Sequence, residues 1–220
     1  MNAVNFIPLD LQNWPRGQMF HYFAQMAPTG YSLTAHVDVT VIRNTLKAHN
    51  MKFFPAYLWL VTKTLNQQVE FKVAIKDDVL GYWDSLTPLY ATFHDDDKTI
   101  SLMWTEYCDE FYEFHERYLK NQSLYKDNHG ILSQPHQMPP PNTYIVSCLP
   151  WIEFQHFAVH GYENKPYYFP SIEVGKFIQQ GNSVIMPLSI TAHHATTDGW
   201  HIKCFLEDLQ EAMNCPGEWV

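Results

Sequence analysis

An α+β fold, with a mixed or largely antiparallel sheet packed by helices, is predicted by three features of the sequence. Segments of helical period and of strand period both occur, without the regular alternation that builds a doubly wound sheet. Hairpin signals are frequent, the clearest being Asp95-Asp96-Asp97 between two strand-like runs. The 220 residues, 46% apolar and 15% aromatic, suit a single domain spanning 1–220 with a full core.

Taken in order, Arg16 to Met26 reads as a helix. Leu33, Ala35, Val37 and Val39 alternate with polar neighbours, the period of a half-buried strand. Arg43–His49 is a short helix and Phe54–Gln67 a longer one, with Pro55 acceptable in its first turn. Phe71–Ile75 and Leu80–Trp83 read as short strands, and Leu89–Phe93 and Thr99–Thr105 as a hairpin around the acidic turn. Glu110–Lys126 carries Phe111, Phe114, His115 and Tyr118 at helical spacing. Pro135 to Pro141 is a loop. Thr143–Ser147, Phe157–Val159, Ile172–Phe177 and Val184–Ala192 are expected strands, and Trp200–Met213 a closing helix.

Composition excludes several classes. The formal charge is −9, and the arginines are Arg16, Arg43 and Arg117. Such a chain is poorly built to grip a phosphate backbone, so no nucleic-acid partner is expected. An anionic small ligand needs only a few local lysines. No apolar run approaches the ~20 residues of a membrane span, and the first residues have neither the basic start nor the apolar core of a signal peptide. The expectation is a cytoplasmic protein with no membrane partner. Cys108, Cys148, Cys204 and Cys215 form no CxxC pair, which suits reduced thiols there.

The chemistry concentrates in Thr191-Ala192-His193-His194-Ala195-Thr196-Thr197-Asp198-Gly199-Trp200-His201, where a strand runs in and a helix runs out. Such junctions hold side chains rigidly at an opening. Adjacent histidines on extended backbone point to opposite sides, so one of the pair faces a given pocket. Gly199 offers backbone freedom for a tight turn. Three readings compete. His194 is a general base, since an ordinary imidazole is mostly neutral at neutral pH and accepts a hydroxyl proton. His193, His194, Asp198 and His201 are metal ligands, although their spacing matches no standard site. Or the histidines are structural. The aromatic content also allows a non-catalytic protein that sequesters an aromatic ligand.

The His193–His201 segment resembles the HHxxxDG signature of the chloramphenicol acetyltransferase family. The rest of the chain carries the resemblance in order. Asn13-Trp14-Pro15-Arg16 is similar to that family's NWxR, and Tyr31-Ser32-Leu33-Thr34 through Thr40 to its first strand. Lys52-Phe53-Phe54-Pro55 is similar to the entry of its long helix, and Ala74–Asp78 with Tyr82-Trp83-Asp84 to its central block. Ser147-Cys148-Leu149-Pro150-Trp151 and Phe154–Phe157 are similar to its SxxPW and FxxF segments, and Met186-Pro187-Leu188 leads into the histidine pair.

The resemblance implies a two-layer α+β sandwich and a homotrimer with active sites at subunit interfaces. It implies direct acetyl transfer from acetyl-CoA, as co-substrate, to the primary hydroxyl of chloramphenicol. No permanently bound cofactor and no metal are expected, and antibiotic resistance is the implied consequence. His194 is then the general base and Ser147 the oxyanion donor. Asp198 and Arg16 pair to hold the turn. Tyr22, Phe23, Phe157 and Val159 line the antibiotic pocket, while Lys52, Trp151, Lys176 and Phe177 contact CoA. Glu173 stands in the acceptor pocket where the family usually has Thr, which opens a second reading: an O-acetyltransferase for another small hydroxylated acceptor.

Overall fold

The computed structural model describes residues 4–135, 137–161 and 167–220. Met1–Ala3, within the start read for a leader, and His136 of the proline-dense loop lie outside them. The elements are β1 (Phe6–Pro8), α1 (Gly17–His21) continued by a π-helical turn (Tyr22–Met26), β2 (Gly30–Asp38), α2 (Thr40–Ala48), α3 (Phe53–Asn66), β3 (Val73–Lys76), β4 (Val79–Trp83), β5 (Thr87–Phe93), β6 (Ile100–Trp104), α4 (Phe111–Tyr125), β7 (Thr143–Leu149), β8 (Ser171–Gly175), β9 (Ile178–Gln180), β10 (Ser183–His193) and α5 (Gly199–Asn214).

The main sheet has seven strands in the order β2-β10-β8-β7-β5-β6, with β9 beside β10. β5–β7 and β7–β8 are parallel and the remaining pairs antiparallel. A small sheet, β1-β4-β3, stands apart. This is the mixed sheet expected of the sequence.

The alternation of side chains along each strand divides the sheet's two faces. Tyr144 and Val146 of β7, Ile172 and Val174 of β8, and Leu188 and Ile190 of β10 enter one core with the buried residues of α3, α4 and α5. Ten of the fourteen residues of α3 are buried, so this helix is apolar almost all round and serves as the core's axis. Some polar groups within the core are paired: Thr62 Oγ1 meets the Tyr144 hydroxyl at 2.7 Å, and Trp59 Nε1 donates to the Cys108 carbonyl at 2.9 Å, whereas the buried Tyr57 hydroxyl has no partner. The opposite face is polar. Ser147 lies level with Glu173, and Glu173 with Ser189, across three neighbouring strands.

Three expectations change. Phe157–Val159 is not a strand: it runs irregularly across the polar face, and the Phe157 carbonyl accepts from Ser189 Oγ instead of joining a ladder. Ile172–Phe177 breaks at Gly175 into β8 and the separate short β9. A Cβ at Gly175 would come within 2.9 Å of Phe154, Pro187 and the Ile152 carbonyl, so only glycine lets the chain pass there. Gly199 has no left-handed conformation and simply opens α5. β1 has no counterpart among the expected elements, being three residues long and completed by distant β4. Among the described residues, no helix is long and apolar enough to cross a membrane, and all four cysteines are free.

Candidate active site

β10 ends at His193, and α5 starts at Gly199. Asp198 caps α5, its carboxylate accepting from the Trp200 N–H at 3.0 Å while His201 returns toward the Asp198 backbone. The other oxygen of Asp198 meets Arg16 Nη1 at 2.5 Å, and Arg16 Nη2 donates to the His194 carbonyl at 3.2 Å. Arg16 therefore fixes both ends of the turn. Burial alone would raise the Asp198 pKa. Arg16, the Trp200 N–H and His201 outweigh it and hold the carboxyl below its ordinary range.

The two histidines diverge, as extended backbone requires. His193 packs edge-on against Tyr168, and its Nδ1 accepts from the Ala195 N–H at 3.1 Å. Burial and the neighbouring imidazole lower its pKa, so it is neutral. His194 turns the other way. Its Nδ1 lies 2.9 Å from the Thr197 carbonyl, which can only accept, so Nδ1 carries the proton. The lone pair is left on Nε2, the form a general base needs. The ring stacks on Phe23 at 4.1 Å between centroids and meets Tyr31 edge-on at 5.3 Å. The His194 backbone N–H donates to the Thr29 carbonyl at 2.8 Å. Tyr22 stands edge-on to Phe23 at 5.0 Å and is half exposed.

Two supporting residues escape the sequence reading. The Tyr31 hydroxyl donates to Thr197 Oγ1 at 3.2 Å, and Thr197 Oγ1 donates to the His193 carbonyl at 3.2 Å. Together they brace the residue whose carbonyl sets the His194 tautomer. Position 31 lies opposite Ala192 across β2–β10, a pairing that only the register reveals. Of the four donors of the metal reading, His201 Nδ1 and Asp198 pair with each other at 2.9 Å, while His194 Nδ1 and His193 Nδ1 each have a separate backbone partner.

A second group occupies the polar face of the sheet. Glu173 is fully buried, between Ser147 on β7 and Ser189 on β10, and neither carboxyl oxygen has a hydrogen-bond partner. Burial pushes its pKa up to about 7, against a smaller opposing pull from Ser171 on the same strand. The Phe157 segment covers this face, and Val159 beyond it is largely exposed. Ser147 is not brought to His194 within one chain. It sits two strands from β10, level with Ser189 and five residues short of His194. With strands about 4.8 Å apart and a rise of about 3.3 Å per residue, the two backbones are roughly 19 Å apart.

A third group gathers where β8 ends and α3 begins. Phe53, next to Lys52, meets Phe177 edge-on at 5.2 Å, and the Arg43 guanidinium lies 4.6 Å from the Phe177 ring centre. The Lys176 N–H donates to the Ile152 carbonyl at 2.8 Å, which places the turn carrying Trp151 alongside. The Trp151 ring is exposed and rests on Phe93. Lys52, Trp151, Lys176 and Phe177 thus share one region, and Arg43 adds a cation that the sequence reading does not include.

A family model described as chloramphenicol acetyltransferase matches residues 4–210. The chain is 35% identical to a chloramphenicol acetyltransferase of Staphylococcus aureus over 218 residues, covering 99% of this chain and 100% of that one. It is 33% identical to chloramphenicol acetyltransferase 3 of Escherichia coli over 211 residues, 96% of this chain and 98% of that one. A solved chloramphenicol acetyltransferase superposes with a TM-score of 0.83 over 95% of this chain and 100% of its own, at 21% identity, a likeness of fold. A histidine pair and DG turn carried on this sheet, with the match running nearly end to end, make the chain a member of the chloramphenicol acetyltransferase family.

Proposed function

We propose that the chain transfers acetyl from acetyl-CoA directly to the primary hydroxyl of chloramphenicol, with both substrates bound together. The observation that carries this reading is the fixed tautomer of His194, which presents an unprotonated Nε2 beside Phe23 and Tyr31. Nε2 takes the hydroxyl proton as the oxygen attacks the thioester carbonyl. The tetrahedral intermediate places negative charge on the former carbonyl oxygen, and the Ser147 hydroxyl donates to it. Collapse breaks the carbon–sulfur bond, and the imidazolium returns its proton to the departing thiolate. Acetyl-CoA is a co-substrate, and the chemistry calls for no resident cofactor.

The separation of Ser147 from His194 supports a site assembled from two copies of the chain, in a homotrimer. Each site then takes His194 from one subunit and Ser147 from its neighbour. The surface near His194 favours such contact: Met26 is largely exposed, Met19 and Tyr22 are half exposed, and Leu33 on the edge strand β2 is partly exposed. Tyr22 and Phe23 would then face Phe157, Val159 and Glu173 across the subunit boundary around the acceptor. Lys52, Arg43 and Lys176 supply positive charge for CoA phosphates, with Trp151 and Phe177 as apolar surfaces. The reaction is placed in the cytoplasm, which suits four free thiols, and its expected consequence is antibiotic resistance.

Glu173 favours a second reading, in which the acceptor is another small hydroxylated molecule. A buried carboxyl without a partner is stable as its neutral acid, and in that form it can donate a hydrogen bond to an acceptor oxygen. Release of free CoA, followed with a thiol reagent, tests both readings. Release that requires chloramphenicol and disappears in His194→Ala supports the first. Release with a different hydroxylated acceptor, but not with chloramphenicol, supports the second.

A further inference from the structure

At the β6 edge of the sheet, opposite β2 and the histidine turn, the acidic β5–β6 turn meets the loop that follows α4. One ring nitrogen of His94, one of His129 and a carboxylate oxygen of Asp96 all lie within 4.8 Å of one another. We propose that these three residues form a binding site for a divalent transition-metal ion, with zinc the best fit, and that the ion clips the hairpin to the loop.

The donor set of two imidazoles and a carboxylate suits zinc and its neighbours better than magnesium or calcium, which prefer oxygen alone. His129 Nδ1 lies 2.9 Å from Asp97 Oδ2, and its Nε2 lies 3.3 Å from Asp96 Oδ2. With Nδ1–H given to Asp97, a bound ion takes the place of any proton on Nε2, which faces Asp96. Two ligands at about 2.1 Å from a tetrahedral ion stand roughly 3.4 Å apart, close to that separation. Asp97 in turn accepts from the Thr99 hydroxyl and N–H, which fix its position beside His129.

His94 is oriented independently. It is 5% exposed, and its Nε2 lies 2.8 Å from Ser101 Oγ. Ser101 Oγ lies 2.6 Å from the Gly130 carbonyl and 3.0 Å from that of Asn128, neither of which can donate. The serine hydrogen is therefore used on a carbonyl, and the His94 Nε2–H donates to the serine. Nδ1 of His94 is left unprotonated. Each imidazole thus spends one N–H on a supporting acceptor, the arrangement that orients metal-bound histidines. The rings stack at 4.1 Å; an ion bound to both lies in the plane of each, so binding turns the exposed His129 ring out of this stack.

The space beside them is a cavity of about 530 Å³, lined by His94, Asp96, His129, Gln122, Lys126 and Asp127 among others. It leaves room for water as the fourth ligand. Lys98 of the turn is engaged by Asp95, and Lys126 is the lysine that lines this cavity.

The test uses the full-length chain treated with chelator and dialysed. Zinc titration by calorimetry is expected to give one ion per chain, and Co²⁺ to give the visible absorption of a tetrahedral nitrogen–oxygen site. Zinc is expected to raise Tm by several degrees through preferential binding to the folded state. His129→Ala and Asp96→Asn, both at exposed positions, should weaken binding at least tenfold and leave acetyl transfer unchanged. His194→Ala should bind zinc as the parent does. The proposal is overturned if the parent binds no zinc, if His129→Ala binds it equally well, or if binding is lost in His194→Ala.

Discussion

Arg16 and Asp198, 182 residues apart in the chain, meet at 2.5 Å beneath the turn that carries His194. Arg16 also donates to the His194 carbonyl, so the pair sets the height of the imidazole without touching the reacting atoms. Asp198→Ala removes the ion pair and the α5 cap together. The pair is partly open to water, which reduces its worth to about 1–2 kcal/mol, and the cap adds about 1 kcal/mol. Asp198→Asn keeps a capping oxygen and should cost less. Thermal melts rank the two variants, with Asp198→Ala melting lower. Because the folded state lowers the Asp198 pKa, this stability is present at neutral pH and is lost as pH falls through the acid range.

His194→Ala should lower kcat by at least 10²–10⁴-fold, roughly the scale of general-base catalysis, while KM for acetyl-CoA changes by no more than a few-fold. Tyr31→Phe removes the hydroxyl that braces Thr197 and should lower kcat far less than His194→Ala does. Steady-state kinetics at saturating chloramphenicol distinguishes them. Equal losses in the two variants would contradict the assignment of His194 as the base.

Glu173 predicts an unusual dependence of stability on pH. Its folded pKa, about 7, lies above the ordinary value of 4.5 for an unfolded chain. The neutral acid is thus favoured on folding. Its contribution is fully present below the unfolded pKa and is lost as pH rises through about 7. Glu173→Gln should therefore gain stability on the parent as pH rises from 5 to 8, by up to about 3 kcal/mol. Melting curves of both proteins across that range check this, and parallel curves would contradict it.

The cationic group around Phe177 predicts a selective effect on CoA. Lys52→Ala, Arg43→Ala and Lys176→Ala should each raise KM for acetyl-CoA by roughly 2–10-fold, as expected for partly exposed ion contacts, with KM for chloramphenicol nearly constant. Added salt should raise the parent's KM for acetyl-CoA in the same direction.

Much of this can be read from the sequence because it depends on local pattern. Alternation marks β2 and β10, helical spacing marks α3 and α4, and the junction between β10 and α5 carries the histidine pair and its aspartate. Phe157–Val159 is a short apolar run like that of a buried strand, but the Phe157 carbonyl is taken by the Ser189 side chain, which no local pattern encodes. β1 depends on pairing with β4 some 75 residues away. Tyr31 belongs to the site through the β2–β10 register, from which its hydroxyl reaches Thr197 in the turn after β10. The spacing of Ser147 from His194 likewise follows from strand order, which short-range patterns leave open.

The most direct test of a site shared between copies mixes two impaired variants. In the proposed homotrimer, His194→Ala would lack the base at every site and Ser147→Ala the oxyanion donor at every site. Unfolded together in equal amounts and refolded, they should form mixed rings in which about a quarter of the sites pair an intact His194 with an intact Ser147 from the next subunit. The account predicts that chloramphenicol-dependent CoA release rises far above that of either variant refolded alone. A mixture no more active than its two components would contradict it.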